Sequence, residues 1–241
     1  MEMIKKFFKD ERQSMKEELT KPEYFSWWAV RVILLASLAY LLITDIHNSN
    51  ILLVCLNILA SFTIPLARII LFPKSLVCKI PFRCQTWLNI MIVIGSALGQ
   101  GFGLNHTIPN YDKFLHILSG FVVVFIGNEL IAVFIRKEDR ISPLFRTFAA
   151  TGFSYMAIVI WEIFEFFVDY YWVDYCNQAY NIKPDHSMLF FRIFGLGAQN
   201  ENQWAVFDTH CDMLYAMVTT TIAAVILLVY LTKKEKTSDS I

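Results

Sequence analysis

Apolar residues in this chain come in blocks of about 18 to 25, long enough for each block to cross the roughly 30 Å hydrocarbon core of a bilayer as one helix. Nothing else constrains the fold as strongly. In lipid, backbone N–H and C=O groups must be satisfied within the segment, which leaves helices or closed barrels, and blocks of this length favour helices. The composition agrees. Of 241 residues, 56% are hydrophobic and 17% charged, against about a quarter charged in soluble domains, and the mean hydropathy is +0.47. The fold class predicted is an all-α polytopic membrane protein. Six transmembrane helices are predicted in one bundle, near residues 27–44, 51–71, 88–103, 111–135, 148–170 and 205–231. The third is short and rich in glycine (Gly95, Gly99, Gly101, Gly103).

The basic residues set the orientation, because Lys and Arg concentrate in cytoplasmic loops. Lys5, Lys6, Lys9, Arg12, Lys16 and Lys21 precede the first block. Arg68 lies at the end of the second and Lys74, Lys79 and Arg83 follow it; Arg136, Lys137, Arg140 and Arg146 follow the fourth, and Lys233, Lys234 and Lys236 the sixth. The first connection has no Lys or Arg, the third has only Lys113 at its edge, and the long fifth has Lys183 and Arg192. This alternation predicts cytoplasmic termini. The organisation expected is an arm over residues 1–24, a membrane domain over 25–232, and a tail over 233–241. The arm reads as an amphipathic helix on the inner leaflet, through Met3, Ile4, Phe7 and Phe8, or as a solvated charged helix. Residues 171–204 form a long aromatic connection expected to fold as an external cap or re-entrant segment. The first two spans, with Arg31 and Arg68 near the inner side, read as structural.

Other classes are disfavoured. A net charge of zero gives no argument for a nucleic-acid partner. The opening two dozen residues are too charged for a signal-peptide apolar region, so the first block is expected to be retained. Cys55, Cys78, Cys84, Cys176 and Cys211 show no CxxC spacing, and neither a disulfide framework nor a cysteine zinc site is expected. The chain carries no P-loop, dinucleotide fingerprint or nucleophile elbow.

Three short acidic motifs lie on the last three blocks: Asp112-Lys113-Phe114-Leu115-His116, Glu162-Ile163-Phe164-Glu165 and Asp208-Thr209-His210-Cys211-Asp212. The predicted topology sets all of them in the outer third of the membrane. Asp112 and His116 are i,i+4 neighbours, as are Asp208 and Asp212. Glu162, Glu165 and Asp169 follow an i,i+3,i+7 row, so each set shares one helix face. Two carboxylates about 5 Å apart repel by roughly 3 kcal/mol at an effective dielectric near 20, so such a group must retain protons or bind a cation. The cations on offer are a metal, Lys113, Arg192 or a substrate amine.

Asp112, His116, Asp208 and Asp212 are therefore the candidate metal ligands, with Glu162 or Glu165 as general base. A mixed oxygen and nitrogen set suits Zn²⁺ or Mn²⁺. Taken singly, Asp112 and Asp208 also read as helix N-terminal residues favoured by the macrodipole, and His116 as a satisfied core histidine. Asp169 reads as a surface residue. Glu162 is the hardest to read this way because it lies about 12 Å below the end of its span; its bland alternative is a protonated structural carboxyl hydrogen-bonded to Ser or Thr. His210 points away from the two aspartates of its helix, and His106 and His186 are unassigned. At the inner end of the fourth span, Asn128 and Glu129 read as part of a snorkelling salt bridge with Arg136 or Arg140.

Tyr111 to His116, the GNE ending at Glu129, Trp161-Glu162-Ile163-Phe164-Glu165 and Asp208 to Met213 together resemble the YjdF-like family of bacterial inner-membrane proteins. The opening Asp-Lys…His is also similar to VanZ-like proteins. The YjdF-like resemblance covers about residues 30 to 230 and implies a six-span fold in a bacterial cytoplasmic membrane with a shared polar site. It implies no defined reaction. The aromatic connection after the fifth span departs from the family's compact pattern.

Three functions stay open at this point. One is a metal-assisted hydrolase or transferase acting on a lipid-linked substrate at the outer leaflet. The second is a cation- or proton-coupled transporter that uses Glu129 lower down. The third is a non-catalytic envelope accessory protein. The partners expected are membrane lipids and, on the first reading, a lipid-linked substrate; the oligomeric state is left open.

Overall fold

The computed structural model describes residues 13–44, 50–70, 79–135, 141–171 and 203–238, and every regular element among them is helical. In chain order these are α1 (Lys21–Thr44), α2 (Asn50–Ala60), α3 (Thr63–Ile70), α4 (Phe82–Met91), a π-helical segment (Ile92–Gly101), α5 (Leu104–Thr107), α6 (Tyr111–Phe134), α7 (Pro143–Tyr171) and α8 (Trp204–Ser238). Four are long and apolar enough to cross a membrane: α1, α6, α7 and α8. The arm's Met3, Ile4, Phe7 and Phe8, almost all of the 171–204 connection, Arg136 and Arg140 lie outside the described residues.

The chain divides into two compact units, the first through Gly103 and the second from Leu104 onward, apart from a few residues around 132–136. In the first unit, α1 starts six residues before its apolar block. Thr20 caps it, its backbone N–H and hydroxyl donating to Glu23 Oε2 at 2.8 and 2.7 Å, while the Glu23 N–H reaches back to the Thr20 hydroxyl at 3.5 Å. This is the reciprocal capping box. Met15 and Leu19, just ahead of the helix, are buried with Trp27 and Phe82. That part of the arm packs on its own unit. Arg83 ties down the same region, its Nε donating to Glu23 Oε1 at 2.7 Å and its backbone N–H to Glu18 Oε1 at 3.1 Å. Burial pushes the Glu18 carboxyl above its usual range.

The second expected span is two helices. Pro65 has no N–H to donate to Ser61, and its ring clashes with that carbonyl in a regular helix. The chain accordingly breaks between α2 and α3. The break is stitched from other helices. Gln85 bridges it, its Oε1 accepting from Ile64 N–H at 2.8 Å and its Nε2 donating to the Ala60 carbonyl at 3.3 Å. The buried Arg31 guanidinium lies over the Trp27 ring, 3.3 Å from its centroid, and donates to the carbonyls of Trp27 and Ser61. Arg68 does a similar task, donating to the Ile80 carbonyl at 2.5 Å. Replacing Gln85 by Leu strands the buried Ile64 N–H and should cost about 1–3 kcal/mol. Thermal unfolding in detergent measures this, and a loss below about 0.5 kcal/mol would show that the break does not depend on the bridge. The third expected span also differs from a single α-helix. It is α4 running into a long π-helical stretch, where Phe102 N–H reaches the Ala97 carbonyl five residues back at 3.0 Å.

The second unit carries the acidic motifs. Gly103 (φ 72°) and Asn110 (φ 61°) turn the chain around α5 in the left-handed region that these two residue types tolerate. At α7 the Ser142 hydroxyl accepts from Phe145 N–H at 3.2 Å, with Pro143 as the first helical residue. The buried residues of α7 are Thr147, Ala150, Ser154, Ile158, Glu162, Glu165 and Asp169, whereas Phe148, Ile160, Phe164 and Phe167 are exposed. This helix is polar inside and apolar outside, the reverse of a helix in water, and only an apolar solvent makes that arrangement favourable. Small residues bring the helices together. The Thr220 hydroxyl donates to the Gly120 carbonyl at 3.0 Å and shares a hydrogen bond with Ser154 Oγ at 3.0 Å, which links α6, α7 and α8 at one level. Beyond that level lies a buried apolar layer of Val124, Ala150, Ala223, Leu227 and Leu231.

Candidate functional site

All the proposed site residues fall in the second unit, at the end of the helices where α6 and α8 begin and α7 finishes. The i,i+4 and i,i+3 spacings turn each set inward. Lys113, His116, Glu162, Glu165, Asp208 and Asp212 are all 6% exposed or less, and Asp112 is half-buried. Sequence reasoning counted Lys113 only as an available cation, yet it is the hub. Its ammonium lies 2.9 Å from Asp112 Oδ2, 2.5 Å from Asp208 Oδ1 and 2.6 Å from Asp212 Oδ1.

His116 stands beside this ion cluster and faces two ways. Nε2 is 3.5 Å from Asp112 Oδ1 and 4.0 Å from Asp212 Oδ2, while Nδ1 is 3.6 Å from Glu162 Oε1. Glu165 reaches the same region and is anchored by Trp161, whose indole N–H donates to Oε1 at 2.7 Å. The i,i+4 spacing of Trp161 and Glu165 was a signal for this pair in the sequence.

Not every residue falls where its sequence suggested. Asp169, read as a surface group, is 1% exposed. It occupies the next inward position after Glu162 and Glu165 on the buried row of α7, which is the signal that could have found it. His210 is exposed, with Nδ1 2.6 Å from the Val206 carbonyl, and takes no part in the cluster. Asn128 is buried and donates to Glu129 Oε1 at 3.4 Å; the Asn128 carbonyl accepts from the Arg146 guanidinium at 3.4 Å.

Charge then limits what the cluster can be. Asp112, Glu162, Glu165, Asp208 and Asp212 supply five carboxylates. Lys113 and a protonated His116 supply two positive charges, so three negative charges remain to be offset by protons or a bound cation. Donor atoms of His116, Glu162 and Asp212 lie within 4.8 Å of one another, as do those of Asp112, His116 and Glu165, and of Asp112, Asp208 and Asp212. Donors of a tetrahedral ion at about 2.1 Å are about 3.4 Å apart, so a contraction on the order of 1 Å would close any of these sets. For His116 the two ring nitrogens divide the work. Whichever one ligates, the other has a carboxylate to receive its N–H, the usual outer support of a metal-bound histidine.

A family model described as "Predicted membrane protein (DUF2238)" matches residues 26–233. The chain belongs to this family. The match takes in the three motif-bearing helices, and the YjdF-like resemblance is to a family of this kind; the VanZ-like one has no support from it. No curated protein and no solved structure matches the chain.

Proposed function

We propose that this protein is a six-span protein of a bacterial cytoplasmic membrane, with both termini inside. In this reading α2 with α3, and α4 with the π-helical segment, each make one composite crossing. The acidic cluster opens outward and is a divalent-metal centre for hydrolysis or group transfer on a lipid-linked substrate. One observation carries the reading: an imidazole and two carboxylates, from His116, Glu162 and Asp212, converge within 4.8 Å in a buried and net acidic environment. The oxygen and nitrogen donors suit Zn²⁺ or Mn²⁺. Such an ion, when bound, supplies Lewis acidity and a water acidic enough to be deprotonated near neutral pH.

The remaining residues have roles that follow from their contacts. With Glu162 among the ligands, Glu165 is the general base, because Trp161 holds one of its oxygens and leaves the other to take a proton. Asp112, the half-buried member, lies on the path by which a head group reaches the centre.

Transport is the second reading, and Glu129 is the observation that favours it. It lies thirteen residues, or about 20 Å, from His116 along α6. The apolar layer of Val124, Ala150, Ala223 and Leu227 at 0–1% exposure stands between these levels and supports chemistry confined to one end.

Elemental analysis of the purified protein tests the metal reading. About one Zn or Mn per chain is expected in the wild type, with a loss of ten-fold or more in affinity for His116→Ala and for Glu162→Ala. A wild type without metal, or His116→Ala binding as tightly as the wild type, would remove it.

A further inference from the structure

We propose that the Lys113 ammonium stands in the place of a second metal ion, so that the centre is a pair made of one tethered cation and one exchangeable divalent cation. This inference rests on the metal reading above. The carboxylates of Asp112, Asp208 and Asp212 form a donor set within 4.8 Å, the spacing of an ion site. Its centre is filled by Nζ of Lys113, on a side chain 7% exposed.

The coordination around that nitrogen is what points to an ion. Four oxygens lie within 2.9 Å of it: Asp112 Oδ2 at 2.9 Å, Asp208 Oδ1 at 2.5 Å, Asp212 Oδ2 at 2.7 Å and Asp212 Oδ1 at 2.6 Å. An ammonium has three N–H bonds. Three of these oxygens accept them, and Asp212 Oδ1, on a residue 1% exposed, accepts no hydrogen bond among the described residues. It lies 2.6 Å from Nζ, so the ammonium is surrounded by more oxygens than it has N–H bonds to give. Two of the three aspartates are also shared. Asp212 belongs equally to the set with His116 and Glu162, and Asp112 to the set with His116 and Glu165. Carboxylates shared in this way are the bridging ligands of two-ion centres, whose ions lie about 3.5–4 Å apart. The lysine position differs from its neighbour in chemistry, being made of aspartate oxygens alone, so the ions that fit it are hard ones such as Mn²⁺, Mg²⁺ or Ca²⁺.

The test compares Mn²⁺ stoichiometry in wild type and Lys113→Met, both as the full untagged chain in detergent, by elemental analysis after removal of free metal. One Mn²⁺ per wild-type chain and two per Lys113→Met chain are expected, with Lys113→Arg retaining one. A wild type with one ion and a Lys113→Met with one or none overturns the proposal and leaves the metal reading standing. A wild type with none and a Lys113→Met with one removes the metal reading and overturns the paired centre with it. Two ions in the wild type, or none in either protein, overturns the proposal. Should Lys113→Met unfold without metal, Mn²⁺ present throughout purification is expected to restore its melting transition, and failure of that rescue also overturns it.

Discussion

Asp212→Ala is expected to lower stability by about 3–5 kcal/mol, the cost of breaking a buried ion pair by removing one partner. Asp212 is the point where the two halves of the cluster join. Both of its oxygens face Lys113, at 2.6 and 2.7 Å, and Oδ2 is also 4.0 Å from His116 Nε2. The residue is 1% exposed, so no water replaces the lost carboxylate. Asp112 offers the internal comparison. It also contacts Lys113 and His116, yet its side chain is 29% exposed, and water screens what its removal leaves behind. Asp112→Ala should cost about 1 kcal/mol or less. In a thermal melt of metal-free protein the difference between the two variants should be on the order of 10 °C. Equal melting temperatures would show that burial does not rank these two aspartates as partners of Lys113.

Gly120→Ala should be comparably damaging, for steric reasons. A Cβ at this position would run into the Ala216 carbonyl oxygen and lie 2.5 Å from Thr219 Oγ1. The obstacle is helix backbone and cannot swing aside, so α6 and α8 must separate. Separation also pulls apart the Thr220 hydrogen bond to the Gly120 carbonyl and its link to Ser154. Overpacking of this kind costs about 3 kcal/mol, with the lost hydrogen bonds in addition. Gly152 is the control within the same unit. A Cβ there meets nothing within 4 Å, and Gly152→Ala should raise stability by up to about 1 kcal/mol through helix propensity. A melt in which both alanines shift in the same direction would contradict the close crossing of α6 and α8.

The acidic row of α7 shows how much of this site was legible before any coordinates. Apolar block length places both ends of α6, the end of α7 and the start of α8 within one residue, because spanning a bilayer is a local requirement on consecutive side chains. However, α7 starts five residues earlier and α8 runs seven residues further than their blocks. Helical spacing likewise places Glu162, Glu165 and Asp169 on one face without reference to any neighbour. The helix ends were less legible: α1 and α7 start ahead of their apolar blocks at Thr20 and Ser142, where caps rather than hydropathy decide.

What stayed hidden depends on partners far away in the chain. The break before Pro65 leaves polar backbone groups that only Gln85 and Arg31, from other helices, can satisfy. Lys113 had two physical options, since its long flexible stem could carry the ammonium outward to the interface or inward. Asp208 and Asp212, about a hundred residues later, decide the matter by offering buried negative charge within its reach. The sequence by itself determined that this is a helical membrane protein and which faces of its last three helices carry carboxylates, since both follow from periodicity along one segment. Only the tertiary structure decided that those faces share a lysine, and that one glycine lets α6 meet α8, because ion pairing and close packing depend on distances between segments that no local pattern encodes.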